Sequence, residues 1–130
     1  ARGIVRGSAP SLNGLTLALI GDDEHGWYAP GPNDLVRRSL AAMKCFERSD
    51  GSRVVLAFAE PRAAKGRAGF GPEARAQLER EVSGAALVVL FAHPRLAAEI
   101  PGEAPILLAW HRQPLMQEAV ARWLVARLGA

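Results

Sequence analysis

The side chains with the clearest capacity for metal chemistry form one short cluster, which contains Asp22, Asp23 and His25. Two carboxylates and an imidazole are oxygen and nitrogen ligands of the kind that hold divalent metals. The same residues also suit a solvated acidic turn that leads into a helix. The sequence therefore leaves two interpretations, a candidate metal site and an exposed turn.

Three cations lie among small residues in a second polar stretch, at Arg62, Lys65 and Arg67. Guanidinium and ammonium groups bind anions through charge-assisted hydrogen bonds. The stretch 60–71 is also long and polar for a connection in a compact domain, and such loops tend to carry function. These three residues are candidate contacts for an anionic or polyhydroxylated ligand or for a neighbouring domain, against the alternative that they are simply solvated.

Two further polar pairs, His93 with Arg95 and His111 with Arg112, each follow an apolar run. Histidine is the usual general acid or base, but nucleophilic catalysis also needs a nucleophile beside it, often a Ser or Cys at a sharp turn between strand and helix. No Ser or Cys stands at such a turn, so the sequence predicts no catalytic residue in this chain. These four residues are candidate ligand or interdomain contacts.

The composition predicts one soluble globular domain. Hydrophobic residues make up 49% and charged residues 22% of the 130 positions, and a chain of this length buries a single core without disulfides or metals. Its 16 Lys and Arg residues are spread among 13 Asp and Glu residues rather than clustered, so we expect no nucleic-acid partner. Cys45 is the only cysteine, which excludes an intramolecular disulfide and a thiolate metal cluster.

Motifs for cofactors and for membrane insertion are missing from the sequence. The turn after the first apolar run has neither the dinucleotide fingerprint nor a P-loop, so we expect no nucleotide or flavin cofactor. The longest apolar run, residues 85–92, is too short to span a bilayer, and the first residues lack a signal-peptide pattern. We expect a soluble protein without a membrane partner, either cytoplasmic or exported by a leader upstream of residue 1.

The apolar runs predict the elements that position these side chains. Four short runs read as strands buried on both faces: residues 15–20, 53–58, 85–92 and 105–110. Helical spacing follows each of them, over residues 33–46, 72–82, a short 94–100, and 114–128. This alternation predicts an α/β fold, a three-layer flavodoxin-like sandwich whose four parallel strands have the order 2-1-3-4 and right-handed crossovers. We assign residues 15–130 to the domain and residues 1–14 to a linker, with Gly3–Arg6 as a candidate edge strand.

Ligands of an open parallel sheet bind outside the carboxyl ends of its strands. Every candidate residue named above follows a predicted strand, so we expect all of them at that end of the sheet. An acidic pair there is also typical of receiver domains, but a receiver carries an acceptor aspartate after its third strand, where this sequence has His93.

Several stretches of the sequence form an ordered set. Gly3–Arg6 and then Pro10 to Leu12 precede the first predicted strand, and they are followed by residues 62–72 (RAAKGRAGFGP), 86–95 (ALVVLFAHPR) and 104–123 (APILLAWHRQPLMQEAVARW). In order and spacing they resemble the C-terminal domain of glycoside hydrolase family 3, with its motifs T-x-V-R/K-N … L-P-L, Y-S-G-R-x-G-L-S/P, V-V-L-F-G-N/S-P and P-A-V-L-L-A-Y … Q-x-A-A-A-x-x-L. The resemblance covers nearly the whole chain and is greatest to two-domain β-N-acetylglucosaminidases.

The resemblance implies an accessory domain that packs against a catalytic (β/α)₈ barrel of the parent enzyme and lends a loop to its active-site rim, with carbohydrate as ligand. It implies that the nucleophilic aspartate, the sugar pocket and the acid–base pair belong to the barrel, so that this chain lacks a complete active site. The sequence departs from the family at His93 and at His111 with Arg112, so no sugar contact is carried over to these positions. Two other functions stay open: a stand-alone module that binds a small molecule or an anion, and a receiver-like interaction module.

Overall fold

A computed structural model describes residues 3–8, 10, 12–20, 35–45, 47–58, 72–91, 94–109 and 114–128 of the chain. The strands among these residues are β1 (Gly3–Arg6), β2 (Leu15–Ile20), β3 (Ser52–Phe58), β4 (Leu87–Phe91) and β5 (Ile106–Leu108). The helices are α1 (Leu35–Ala42), α2 (Pro72–Val82), a short 3₁₀ helix (Pro94–Glu99) and α3 (Pro114–Arg127). From β2 onward the elements alternate as the apolar runs predict.

The five strands form one sheet in the order β1-β5-β4-β3-β2. Strands β2 to β5 pair in parallel with their neighbours, whereas β1 runs antiparallel along β5. This arrangement confirms the predicted α/β class and the four parallel strands, and it places Gly3–Arg6 at an edge of the sheet. The layering is compatible with a flavodoxin-like sandwich.

The predicted strand order is wrong. Counted along the four parallel strands, the structure has the order 1-2-3-4, whereas the sequence analysis predicts 2-1-3-4. The inner position belongs to β3 because its five residues from Val54 to Phe58 are all buried. In contrast, β2 carries the polar Thr16 and leaves Ala18 and Leu19 half-buried. An edge strand tolerates this partly exposed pattern, and a strand paired on both sides and covered on both faces does not.

Helices cover both faces of the sheet, with α1 and α3 on one face and α2 and the 3₁₀ helix on the other. The buried residues that these helices contribute are Val36, Leu40, Val120 and Leu124 on the first face and Leu78, Val82 and Leu96 on the second. The connections β2–α1–β3 and β3–α2–β4 step across the sheet in the same direction but over opposite faces, so the two crossovers have opposite hands. One of them therefore departs from the right-handed rule on which the sequence analysis relies.

The last helix buries one face in the core of the domain. On α3, Val120 and Leu124 are fully buried, whereas Met116 and Trp123 are only partly buried. The Arg127 guanidinium lies 5.0 Å from the centre of the Trp123 ring, within reach of a cation–π contact. Trp123 therefore packs against the margin of the core.

The first helix is shorter than its sequence pattern predicts. It ends at Ala42, and Lys44 then takes a positive φ of 60°, the left-handed conformation that commonly terminates helices.

None of the described helices has the length and apolar character needed to cross a membrane.

Candidate functional site

The four parallel strands all end on the same side of the domain. We call this row of strand ends the carboxyl edge, as distinct from the edge strands at the two sides of the sheet. It consists of Ile20, Phe58, Phe91 and Leu108, the last residues of β2, β3, β4 and β5. The pairing registers bring these four ends level to within about one residue. The stretches that hold the candidate site residues continue the chain from this edge, as the sequence analysis predicts for a parallel sheet.

The candidate side chains themselves lie outside the described residues. This holds for the basic stretch (Arg62, Lys65, Arg67), for the residues after β4 and β5 (His93, His111, Arg112) and for the acidic cluster (Asp22, Asp23, His25). Arg95 lies on the 3₁₀ helix by its backbone, and its side chain is likewise outside the described part. The ligand, interdomain and metal assignments therefore stay predictions.

Two stacked aromatic rings support the middle of the carboxyl edge. Phe58 and Phe91 end the adjacent strands β3 and β4, and their ring centres lie 4.6 Å apart with an interplanar angle of 7°. Both side chains are almost completely buried. The stack fixes the two backbone positions from which the stretches 59–71 and 92–93 begin, so it gives these stretches a rigid base.

The direction of β1 brings the start of the chain to the same edge. Because β1 is antiparallel to β5, its first residue Gly3 pairs with Leu108, at the carboxyl end of β5, and Arg6 pairs with Ile106. The chain thus enters the domain at the carboxyl edge and runs away from it along β5. Any segment joined upstream of Gly3 is therefore attached at the carboxyl edge.

The Arg6 side chain locks β1 to the rest of the domain. Its Nε donates a hydrogen bond to the Ala104 carbonyl at 2.9 Å, its Nη1 to the Ile100 carbonyl at 2.8 Å, and its Nη2 to the Pro101 carbonyl at 3.3 Å. These three carbonyls belong to the connection between the 3₁₀ helix and β5. This role is not predicted from the sequence. An arginine at the end of an apolar strand is the signal that could have drawn attention to it.

A buried amide positions the start of α1. Gln117 on α3 is fully buried, and its Oε1 accepts a hydrogen bond from the Val36 N–H at 3.3 Å. Val36 is the second residue of α1, so Gln117 satisfies one of the N–H groups that a helix start leaves without an intrahelical partner. The sequence analysis missed Gln117 too, although its spacing from Val120 and Leu124 places it on the core face of α3.

At the opposite end of the parallel strands lies a polar hollow of about 440 Å³, lined by parts of β2 and β3, by the residues just before β3 and by the connection between α2 and β4. The Oγ of Ser52 accepts a hydrogen bond from the Asn13 N–H at 2.9 Å, and Arg53 lies 3.7 Å from the Glu81 carboxylate. Because these polar groups are used within the fold, we do not consider the hollow a ligand site. Within the described ranges, no group of three or more His, Cys, Asp and Glu side chains is placed to hold a metal ion.

A carboxylate on the outer side of β2 carries the clearest electrostatic perturbation in the described residues. Glu47 accepts hydrogen bonds from the Arg37 guanidinium and, at 3.0 Å, from the Leu17 N–H. Partial burial raises the pKa of Glu47, but the hydrogen bonds from Arg37 and Leu17 and the charge of Arg37 outweigh this effect. The pKa of Glu47 therefore lies below its usual value of 4.5.

This lowered pKa predicts that acid weakens the fold through Glu47. The Glu47 carboxylate is more easily protonated in the unfolded chain than in the folded one. Its contribution to the free energy of unfolding is therefore complete above the unfolded pKa of 4.5 and is lost as the pH falls through the lower folded pKa. We expect the free energy of unfolding to fall by about 0.5–1 kcal/mol. The effect is this small because Glu47 and Arg37 both keep part of their surface in water. Urea unfolding at neutral pH and at about pH 3 measures it.

The variant Glu47→Gln should flatten this part of the pH dependence, because it cannot be protonated in that range. The control is Glu118→Gln, which removes a carboxylate that Arg122 contacts at 3.2 Å on the exposed surface of α3. If the free energy of unfolding falls with acid as steeply in Glu47→Gln as in Glu118→Gln, Glu47 does not contribute in this way.

Comparison of the chain with models of known families, with curated proteins and with solved structures found no match. The resemblance to family 3 glycoside hydrolases therefore rests on the motifs of the sequence. It enters below as a proposal.

Proposed function

We propose that this chain is an accessory domain of a family 3 glycoside hydrolase and packs against a catalytic (β/α)₈ barrel encoded upstream. In this proposal the domain holds no complete active site of its own. Its carboxyl edge faces the barrel, and the stretch 59–71 contributes to the rim of the barrel's active site.

The observation that carries the proposal is the direction of β1. The strand begins at the carboxyl edge, where Gly3 pairs with Leu108, so a domain joined upstream is tethered at this edge and not at the opposite one. The stretches that follow β3, β4 and β5 leave the sheet at the same edge. An upstream barrel would therefore approach the edge from which the chain continues toward Arg62, Lys65 and Arg67, whose cationic groups are suited to hydrogen-bonding a polyhydroxylated or anionic ligand.

The Arg6 hydrogen bonds favour a fixed attachment over a free tether. Three carbonyls of the connection before β5 hold the guanidinium, so β1 is held both by its strand pairing and by its side chain. Because β1 is held in this way, the part of the chain that precedes it leaves the domain in a defined direction. Such an attachment suits a domain that must present one loop at one place on a partner.

The chemistry of glycoside cleavage supports the division of labour between the two domains. Hydrolysis needs two carboxyl groups on either side of one glycosidic bond, one acting as acid and the other as nucleophile or base. The sequence arranges no such pair, and no catalytic residue of the family corresponds to a position in this chain. In the proposal both groups come from the barrel.

We expect residues 1–130 alone to show no hydrolysis of chromogenic β-N-acetylglucosaminides or β-glucosides, while the full natural chain that contains them hydrolyses one of these. In the full chain, Arg67→Ala should raise KM about tenfold, by removing a charge-assisted hydrogen bond at the rim, or weaken the domain interface. The melting temperature of residues 1–130 should stay unchanged by the same substitution. Initial-rate kinetics and thermal unfolding measure these quantities.

The matched control is Arg122→Ala, which removes a cation that pairs with Glu118 on the exposed surface of α3. The proposal fails if the natural coding sequence has no barrel upstream of Ala1, or if turnover by residues 1–130 survives repurification. If Arg67→Ala and Arg122→Ala have the same kinetics and stability in the full chain, Arg67 does not contact the rim of the active site or the domain interface. Anion binding by residues 1–130 without an upstream barrel would favour a stand-alone binding module instead.

A further inference from the structure

A β-bulge in β1 turns the Arg6 side chain toward the face of the sheet that α2 and the 3₁₀ helix cover. Gly3, Ile4 and Arg6 pair with three consecutive residues of β5, so β1 has one extra residue between Ile4 and Arg6. Ile4 packs against the core of the other face, under α1 and α3. Without the extra residue Arg6 would share that face, because alternate residues of a strand point to the same side. Bulges that re-aim a side chain in this way are built features of a sheet.

The Arg6 guanidinium is bonded to a connection that itself packs against α2. Its three hydrogen bonds go to the carbonyls of Ile100, Pro101 and Ala104. The Ile100 side chain is buried in the same core cluster as Leu78 of α2. Hydrogen bonds thus join β1 to residues 100–104, and apolar packing joins these residues to α2.

An ion pair joins the same connection to the first half of α2. Glu99, the last residue of the 3₁₀ helix, directly precedes Ile100, and Arg75 is the fourth residue of α2. The Arg75 Nη2 donates a hydrogen bond to Glu99 Oε1 at 3.1 Å. Beside this pair α2 and the 3₁₀ helix leave an open hollow of about 300 Å³, which Glu79 and Pro101 also line. The ion pair therefore bridges the two elements at a point where they are not closely packed.

We propose that Arg6, Glu99 and Arg75 form a relay of positioning residues that couples β1 to the start of α2. Energetic coupling across a domain is carried by contiguous hydrogen bonds, ion pairs and packed side chains, and the relay contains all three. Because α2 begins at Pro72, directly after the stretch 59–71, the relay connects the strand by which the chain enters the domain with the end of that stretch. The coupling needs no upstream domain, whereas its effect on catalysis rests on the proposed function.

A double-mutant cycle on residues 1–130 tests the relay. The measured quantity is the amide exchange rate of Ala76 and Gln77 in α2, since exchange reports local opening of a helix. Glu99→Ala removes the ion pair and should raise this rate about threefold. Arg6→Ala should raise it by a similar factor. The double variant should also stay near about threefold, because both changes interrupt one relay, whereas independent effects would multiply to about ninefold.

Two controls separate the relay from a general loosening of the domain. Glu118→Ala removes the exposed carboxylate that pairs with Arg122 on α3, and it should leave the exchange of Ala76 and Gln77 unchanged. The charge-reversed pair, Arg75→Glu with Glu99→Arg, should restore the natural rate because it restores an ion pair between the two elements. If Arg6→Ala does not fold, Arg6→Lys replaces it in the cycle, since an ammonium lacks the fork of donors that a guanidinium presents.

The relay is overturned if either single variant exchanges at the natural rate, if the two effects multiply, or if the charge-reversed pair exchanges as fast as Glu99→Ala. In a full natural chain with an upstream barrel, Glu99→Ala should raise KM about threefold with little change in kcat, and the charge-reversed pair should bring KM back. An unchanged KM would refute the effect on catalysis. A full chain without a barrel would refute the proposed function, and the exchange rates would still decide on the relay.

Discussion

Replacing Phe91 by alanine is expected to lower the free energy of unfolding by about 3–5 kcal/mol, the largest effect of any single substitution considered for this chain. Phe91 ends β4 with almost no exposed surface, and its ring stacks on Phe58 at a centre-to-centre distance of 4.6 Å. Truncation removes the buried ring, leaves a cavity beneath the sheet and deprives Phe58 of its stacking partner. A domain of this size has a total stability of about 5–15 kcal/mol, so the variant should be close to unfolding.

Urea unfolding of the natural chain, Phe91→Ala and Leu115→Ala measures this effect. Leu115 lies at the start of α3 with 80% of its surface exposed, so its truncation should change the free energy of unfolding by no more than about 0.5 kcal/mol. A loss below about 1 kcal/mol in Phe91→Ala, with an unchanged dependence on urea, would show that the stack contributes little.

The same substitution has a consequence for the candidate site. Phe58 and Phe91 are the last residues before the stretches 59–71 and 92–93, so their stack holds the bases of both stretches in a fixed relation. Without the Phe91 ring, the two strand ends lose their common support. In the proposed two-domain enzyme, catalysis should then fall even at temperatures at which the Phe91→Ala domain remains folded.

The apolar runs of the sequence were enough to predict which segments form strands. Each run from β2 to β5 matches an observed strand to within two residues at either end, and α2 has the predicted bounds. Such agreement is expected where continuous apolar residues are buried on both faces, because local pattern and burial then indicate the same structure. The class of the fold follows from that alternation.

The neighbours of each strand could not be predicted from the same runs. A buried apolar run shows that both faces of a strand are covered and does not show which strand lies beside it. The polar Thr16 within the run of β2 was the available sign in the sequence that this strand lies at an edge, and the structure adds that Ala18 and Leu19 are half-buried. The rule that crossovers are right-handed instead favoured the order 2-1-3-4, and this chain departs from the rule in one connection.

Polar side chains with structural roles were the hardest to foresee. Arg6, Glu47 and Gln117 each act through main-chain groups that are distant in sequence, by 94 to 98 residues for Arg6, 30 for Glu47 and 81 for Gln117. No local spacing reveals such partners, because they come together only after the sheet has formed. For the candidate site, the sequence predicts which end of the sheet it occupies, and this stays a prediction because the candidate side chains lie outside the described residues.

Replacing Arg6 by alanine is expected to release β1 from the sheet at a cost of about 2–4 kcal/mol, because three carbonyls lose a charged donor in a part-buried setting. Arg6→Lys should lower the free energy of unfolding by less, because an ammonium keeps the positive charge. It should still lower it, because an ammonium cannot reach three carbonyls with the geometry of a guanidinium. Amide exchange of Ile4 and Leu107, which pair between β1 and β5, should rise in Arg6→Ala while exchange in β3 stays slow.

Arg122→Ala serves as the control, because it removes a cation whose partner is the exposed carboxylate of Glu118 and should change the free energy of unfolding by no more than about 0.5 kcal/mol. Equal exchange at Ile4 in Arg6→Ala and Arg122→Ala would mean that strand pairing alone holds β1. Release of β1 would in turn free the point at which the chain enters the domain. In the proposed two-domain enzyme, the barrel would then no longer approach the carboxyl edge from one fixed direction, and Arg6→Ala should impair catalysis for that reason.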